Sequence, residues 1–422
     1  MARIESVTAR EILDSRGRPT VEATCVLNGC SATASVPSGA STGAAEALEL
    51  RDGDPSRYLG MGCRKAVANV NGTIASALRG RSFSHQRELD AYLIELDGSA
   101  NKSRLGANAV LAVSIAYARA EAALRGVPLY QHFADMVDEP LQALPRMTIN
   151  LFSGGKHAGG QVEIQDVLIV PASAPTIDDG LAMTFAVYQA AAALSRQRYN
   201  WRALTADEGG LAPPVESVDA MLALAVEAIE RAGYTPGPDV AIALDVASSH
   251  FYVNSRYVIG GRELNSVEMI EQVRDWVMRY PIVSVEDGLS EEDWANWPQL
   301  RCTLEGRAIT LGDDFLCTNP QRIARAVQER AADALLLKVN QIGTLTEAAE
   351  ARRLARAAGW RITISARSGE TEDNWLADLA VGWSGDQIKI GSITQSERLA
   401  KYNRLLAIEA RTGLPVNPWP GR

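Results

Sequence analysis

The fold class this sequence predicts is an α/β barrel of the TIM type preceded by a small α+β unit. Three observations predict it. From about residue 146, short β-branched or leucine-rich runs alternate with amphipathic helical stretches, the rhythm of parallel βα units. Six successive runs end at or just before a charged residue. The gaps between those residues are 41, 27, 25, 29 and 22, about one helix plus one strand each. Ahead of residue 137 the order differs, with strands first and helices afterwards. The expected division is therefore 1–137 and 138–422.

In the first unit, residues 4–7, 20–27 and 31–36 read as strands, with Asn28-Gly29 as a turn signal between the last two. Helical patterns cover 62–78, 86–96 and 107–125. The last is rich in alanine with apolar residues on most sides, which predicts burial. Between strands and helices, residues 37–43 combine small side chains with Gly39 and Gly43, suiting a mobile loop that folds over a site.

In the second unit, the run 240–244 ends at Asp245 and 282–285 ends at Glu286. The run 308–311 ends before Asp313, and 334–337 ends at Lys338. The run 361–365 ends before Arg367, and Gln387-Ile388 leads into Lys389. Helices are expected at 218–232, 266–280 and 345–358. The C-terminal strand ends of such a barrel converge on one mouth, so these six charged residues are expected to face a common point.

Three carboxylates in one place repel strongly at low dielectric and need cations. An all-oxygen set without histidine or cysteine suits a hard ion, so Asp245, Glu286 and Asp313 read as a Mg2+ site. Lys338, buried beside a divalent cation, would have a lowered pKa and could serve as a neutral base. A base next to Mg2+ suits removal of a proton α to a carboxylate, because the metal stabilises the enediolate. Arg367, Ser368 and Lys389 offer donors and positive charge for a phosphate, or else Arg367 forms a rim ion pair with Glu370 or Asp373. Residues 202–205 read as a further strand, followed by Asp207-Glu208-Gly209-Gly210, with Glu208 a candidate general acid. His157 follows Gly154-Gly155-Lys156.

Other functions are disfavoured. The net charge of -9 repels phosphate backbones and acidic lipids, so neither nucleic acid nor membrane is an expected partner. No pair among the five cysteines forms C-x-x-C, and the four histidines never stand at i, i+4. Neither a P-loop nor G-x-S-x-G occurs. The N-terminal residues carry no apolar signal region, and a reducing cytoplasm is the expected compartment.

Taken together the residues resemble the enolase (phosphopyruvate hydratase) family over essentially the whole chain. The similarity is carried by Glu11-Ile12-Leu13-Asp14-Ser15-Arg16-Gly17, Glu46-Ala47-Leu48-Glu49-Leu50-Arg51-Asp52-Gly53-Asp54, Asp207-Glu208-Gly209-Gly210, Val285-Glu286-Asp287, Gly312-Asp313-Asp314, Asn340-Gln341-Ile342-Gly343 and Ser368-Gly369-Glu370-Thr371-Glu372-Asp373. The resemblance implies the enolase variant of the barrel, with an antiparallel second strand. It implies Mg2+ on Asp245, Glu286 and Asp313, and a second Mg2+ arriving with substrate and ligated by Ser41. Lys338 matches the family base and Glu208 the family acid. His157, Gln165, Arg367, Ser368 and Lys389 match substrate-binding positions. A homodimer or larger homo-oligomer is implied.

Two positions depart from the family pattern. Ser365-Ala366-Arg367-Ser368 replaces Ser-His-Arg-Ser, so an imidazole is gone. Gln165-Asp166 replaces Gln-Glu, so a catalytic carboxylate is kept but withdrawn by one methylene. Three readings follow. The first is a diverged paralogue acting on a phosphonate or phosphinate acid, resembling carboxyphosphonoenolpyruvate synthase. The second is a phosphopyruvate hydratase converting 2-phosphoglycerate to phosphoenolpyruvate. The third is a silent binding paralogue, which the retained acids and base argue against.

Overall fold

The computed structural model describes residues 2–420 apart from 41 and 201. Strands β1 (Ile4–Leu13), β2 (Pro19–Leu27) and β3 (Cys30–Ser35) form an antiparallel sheet in that order. The β2–β3 hairpin turns at Asn28 (φ 45°) and Gly29 (φ 79°). Two left-handed residues are what a two-residue turn between right-twisted strands demands. Strand β1 extends well past residue 7, because its pairing with β2 continues to Leu13 opposite Pro19. The helix Ala107–Arg125 packs on this sheet and is buried on nearly every side, its alanines allowing close approach. The single helix expected at 62–78 is broken into Arg64–Asn69, a wide turn at Val70–Ile74, and Ala75–Leu78, with Gly72 inside the wide turn.

Strands β4 (Arg146–Ser153), β5 (Asp166–Val170) and β6 (Ala241–Asp245) open the barrel. A small surface sheet follows, made of β7 (Tyr252–Val253), β8 (Arg256–Ile259) and β9 (Arg262–Leu264). Strands β10 (Ile282–Glu286), β11 (Ile309–Gly312), β12 (Ala334–Leu337), β13 (Arg361–Ser365) and β14 (Gln387–Gly391) complete the barrel, with β14 pairing back onto β4. Strand β5 runs antiparallel to both neighbours. Its start therefore lies at the end where the other strands finish, and Asp166 pairs in register with Asp245. Residues 202–205 are not a strand. Thr205 makes one isolated bridge to Leu211, and the segment is otherwise irregular.

Side chains inside the barrel divide by depth. Leu168, Val170, Ala241, Ala243 and Trp419 fill the base, whereas charged side chains fill the mouth. The apolar residues that face outward from the strands join the surrounding helices in the main core. Over the mouth, Ser38 and Gly369 exchange backbone hydrogen bonds of 2.8 and 2.9 Å, which ties the glycine-rich loop to the barrel. A side chain at Gly369 would meet the Ser38 carbonyl at 2.7 Å, so this approach requires glycine. Among the described residues no helix is long and apolar enough to cross a membrane.

Candidate active site

Strand register brings the acids of the mouth together. Asp245 and Glu286 are partners at the ends of β6 and β10. The Lys389 ammonium, on β14, lies between them, donating to Asp245 Oδ2 at 2.7 Å and to both Glu286 oxygens at 2.8 and 2.9 Å. Asp313, just past β11, is held by the Lys338 ammonium from the end of β12 and by Gln341 Nε2 at 2.9 Å. Each cation answers the repulsion that burying these acids creates.

Cations still fall short of acids. Burial opposes ionisation of Asp245, but Lys389 overrides it and holds the carboxyl at about 2. Burial and the adjacent Asp245 push Glu286 well above the usual carboxylate range. Burial and the neighbouring aspartates do the same to Asp287, and burial with Asp313 raises Asp314 to about 7. An oxygen-only cluster with surplus negative charge fits a divalent cation such as Mg2+. The expected trio is nevertheless not the tightest grouping. Among the described residues, ligand atoms within 4.8 Å of one another occur as Asp287–Asp313–Asp314 and as His157–Asp166–Glu208. Asp245 and Glu286 are set apart from Asp313 because each group clasps its own lysine. Asp287 is tied up as well, accepting the backbone N–H groups of Asp313 and Asp314 at 2.9 and 2.8 Å.

The depression expected of Lys338 beside a divalent cation depends on that cation, and the protein side chains alone act the other way. Burial pushes its ammonium down, but Asp313 outweighs burial and the pKa rises. A neutral amine here requires Asp313 to be engaged by another cation.

Across the mouth stands the second group. His157 Nδ1 lies 2.9 Å from Asp166 Oδ2, and its Nε2 lies 3.8 Å from Glu208 Oε1. Ser153 Oγ donates to Asp166 Oδ1 at 2.6 Å, and Asn150 Nδ2 donates to Glu208 Oε2 at 3.0 Å. Burial lowers His157, but the two carboxylates overcome it and raise the imidazole to about 9. Burial raises Asp166, while His157 overrides burial at Glu208 and lowers it. One proton thus resides on the imidazole with carboxylates on both sides. Gly209 (φ 83°) turns the chain so that Glu208 points inward, and a side chain there would strike Thr394.

Gln165 donates to Asp245 at 3.1 Å while its Oε1, buried, accepts no hydrogen bond among the described residues. The Arg367 guanidinium pairs with Glu46 of the first unit, both contacts at 3.1 Å, and not with Glu370 or Asp373. Glu370 instead accepts the Arg367 backbone N–H at 3.3 Å, and Asp373 pairs with Arg119. Ser368 Oγ accepts from Arg16 at 3.1 Å. Ala40, His157, Gln165, Glu208, Asp245, Lys338, Ala366, Arg367, Ser368 and Lys389 line one narrow cavity of about 20 Å³. Ser41 lies outside the described residues. Sequence reasoning assigned no role to Ser153, Asn150 or Gln341. All are neutral donors one step behind the charged residues, and an amide or hydroxyl inside a strand or short helix carries no sequence signal.

A closed eight-stranded barrel with a reversed second strand, capped by an antiparallel sheet and lined by acids and lysines, defines a class of barrel lyases that manage carbanion charge. Two family profiles match: enolase, N-terminal domain, over residues 4–133, and enolase, C-terminal TIM barrel domain, over 141–417. The protein called Enolase 1 from Methylococcus capsulatus is 48% identical over 416 residues, which span 98% of each chain. The chain belongs to the enolase family and is an enzyme of its carbon–oxygen lyase type.

Proposed function

We propose that the enzyme is a phosphopyruvate hydratase, removing water from 2-phosphoglycerate to give phosphoenolpyruvate. One observation carries the reading: Lys338 and the His157–Glu208 pair line the same narrow cavity, with Gln165, Arg367, Ser368 and Lys389 completing its wall. Elimination needs a base for the C–H bond and an acid for the departing oxygen within reach of one substrate. The near full-length relative supports it over the phosphonate-type reading, which gains nothing from the comparisons.

Arg367 and Ser368 hold the phosphate, and the unfilled Gln165 oxygen accepts from a substrate hydroxyl or water. Lys338 Nζ takes the α proton, and the C–H electron pair becomes the new C=C bond. The C–O pair leaves with the hydroxyl, which collects a proton that Glu208 relays from the His157 imidazolium and departs as water. His157 Nε2, 3.8 Å from Glu208, is the store of that proton. Asp245, Glu286 and Asp313, with Ser41, would hold the two Mg2+ ions. When bound, Mg2+ supplies the charge that stabilises the carboxylate dianion formed as the α proton leaves.

This arrangement also answers the missing imidazole. Ala366 lines the cavity without a polar group, and Asp166, shortened, holds His157 against Glu208, so an imidazolium still serves the acid side. The test is phosphoenolpyruvate formation from 2-phosphoglycerate with Mg2+. Turnover in the range of about 1–10³ s⁻¹ is expected. Turnover lower by several orders of magnitude, alongside activity on a phosphonate analogue, would restore the altered-substrate reading.

A further inference from the structure

The end of the barrel away from the mouth holds a cavity of about 770 Å³, formed where three helices return to β11, β12 and β13. Arg301, Arg307, Arg330 and Arg361 stand around it, and the buried Trp360 and Trp419 line its apolar part. The only acids on its wall, Glu305 and Asp333, are both answered by Arg301, at 3.5 and 2.6 Å. Arg361 reaches Asp386 at 3.4 Å, but Arg356 already holds that carboxylate at 2.6 Å. Arg307 and Arg330 make no ion pair or side-chain hydrogen bond among the described residues. Positive charge is therefore left over here, in a chain whose net charge is -9.

The backbone supplies a second, independent observation. Each of the three turns passes through the left-handed region. Two place glycine there, Gly306 (φ 75°) and Gly359 (φ 77°), with open space where a side chain would stand. The third places Arg330 (φ 54°), a residue the left-handed conformation disfavours. The helix Pro320–Glu329 would end more comfortably on glycine. Arginines beside helix C-termini often hydrogen-bond the last carbonyls, but neither Arg307 nor Arg330 donates to any of them. Among the described residues their side chains serve neither an acid nor a helix end.

We propose that this basal cavity binds a small anion carrying more than one phosphate group. Arg307 and Arg330 grip the phosphates, Arg361 assists, and the tryptophan-lined wall excludes water from one side. Guanidinium groups suit this ligand because each presents a planar fork of donors to phosphate oxygens. The site lies at the opposite end of the barrel from the catalytic mouth, so its occupancy is separable from turnover.

Inorganic pyrophosphate is the probe, titrated calorimetrically into the full chain without Mg2+. Three proteins are compared: wild type, R307Q/R330G, and R367Q, which disables anion capture at the mouth. Binding is expected to persist in R367Q and to weaken about tenfold or more in R307Q/R330G. R330G relieves the strained turn, so the double variant should melt no lower than wild type. R307Q alone, an exposed change, should weaken binding partway. Equal affinity in R307Q/R330G and wild type, or no binding in R367Q, would overturn the proposal.

Discussion

The two sides of the mouth solve the same electrostatic problem in opposite ways. On the base side, three buried carboxylates are paired with two lysines, and the surplus acid raises Glu286, Asp287 and Asp314. On the acid side, a single imidazole is shared by two carboxylates, each steadied by a neutral donor, Ser153 or Asn150. The first side has room for more positive charge. The second already holds its proton. The comparison teaches that charge balance, more than residue identity, marks where a cation belongs and where a proton is stored.

The largest effect should come from the base side. Lys338→Ala removes the group proposed to take the α proton, and phosphoenolpyruvate formation should fall by ~10³–10⁴-fold in a coupled assay. A loss below tenfold would remove Lys338 from the reaction. Glu208→Gln keeps the shape of the acid side but cannot deliver a proton, and the same assay should show a fall of ~10²–10³-fold. Wild-type rates in this variant would leave His157 alone as the donor.

The two sides should also respond to pH in opposite senses. His157 titrates at about 9 when folded, against an ordinary value of 6.5. Its folded pKa is raised, so its stabilisation is full below about pH 6.5 and is lost as pH rises towards about 9. The loss is about 3 kcal/mol by linkage. Asp245 is the reverse case: held at about 2 against 3.8, it contributes above about pH 4 and loses that contribution as pH falls through 2. Denaturation midpoints measured between pH 6.5 and 9 should fall in wild type and stay flatter in His157→Gln. Parallel curves would show that the imidazole holds no extra proton.

Ser153→Ala should have the smallest effect. It removes the 2.6 Å hydrogen bond to Asp166, costing about 1 kcal/mol of stability and a several-fold loss of turnover. An unchanged melting temperature and rate would show that Asp166 is fixed by His157 alone.

How much of this was legible in the sequence differs between the same two sides. The base side was readable because Asp245, Glu286, Asp313, Lys338 and Lys389 sit at strand ends at one-helix, one-strand spacing, a regularity that barrel geometry enforces. The acid side broke that regularity. Asp166 begins a reversed strand and Glu208 lies on an irregular loop, so neither follows the rhythm; only likeness to a known family singled out Asp166, and Glu208 was reached by way of a strand that the structure does not form. The pairing of Arg367 with Glu46 joins residues 321 positions apart, a link no local pattern reveals. The strand expected at 202–205 failed for a related reason: its residues form only a bridge beside a glycine pair, with no neighbouring strand to complete a ladder.

Solvent-deuterium exchange at the α-carbon of 2-phosphoglycerate, followed with Mg2+ in Glu208→Gln and Lys338→Ala, separates the two sides most directly. Glu208→Gln should exchange the α proton while forming almost no phosphoenolpyruvate, and Lys338→Ala should do neither. Exchange at wild-type rate in Lys338→Ala would contradict the assignment of the base and, with it, the division of labour across the mouth.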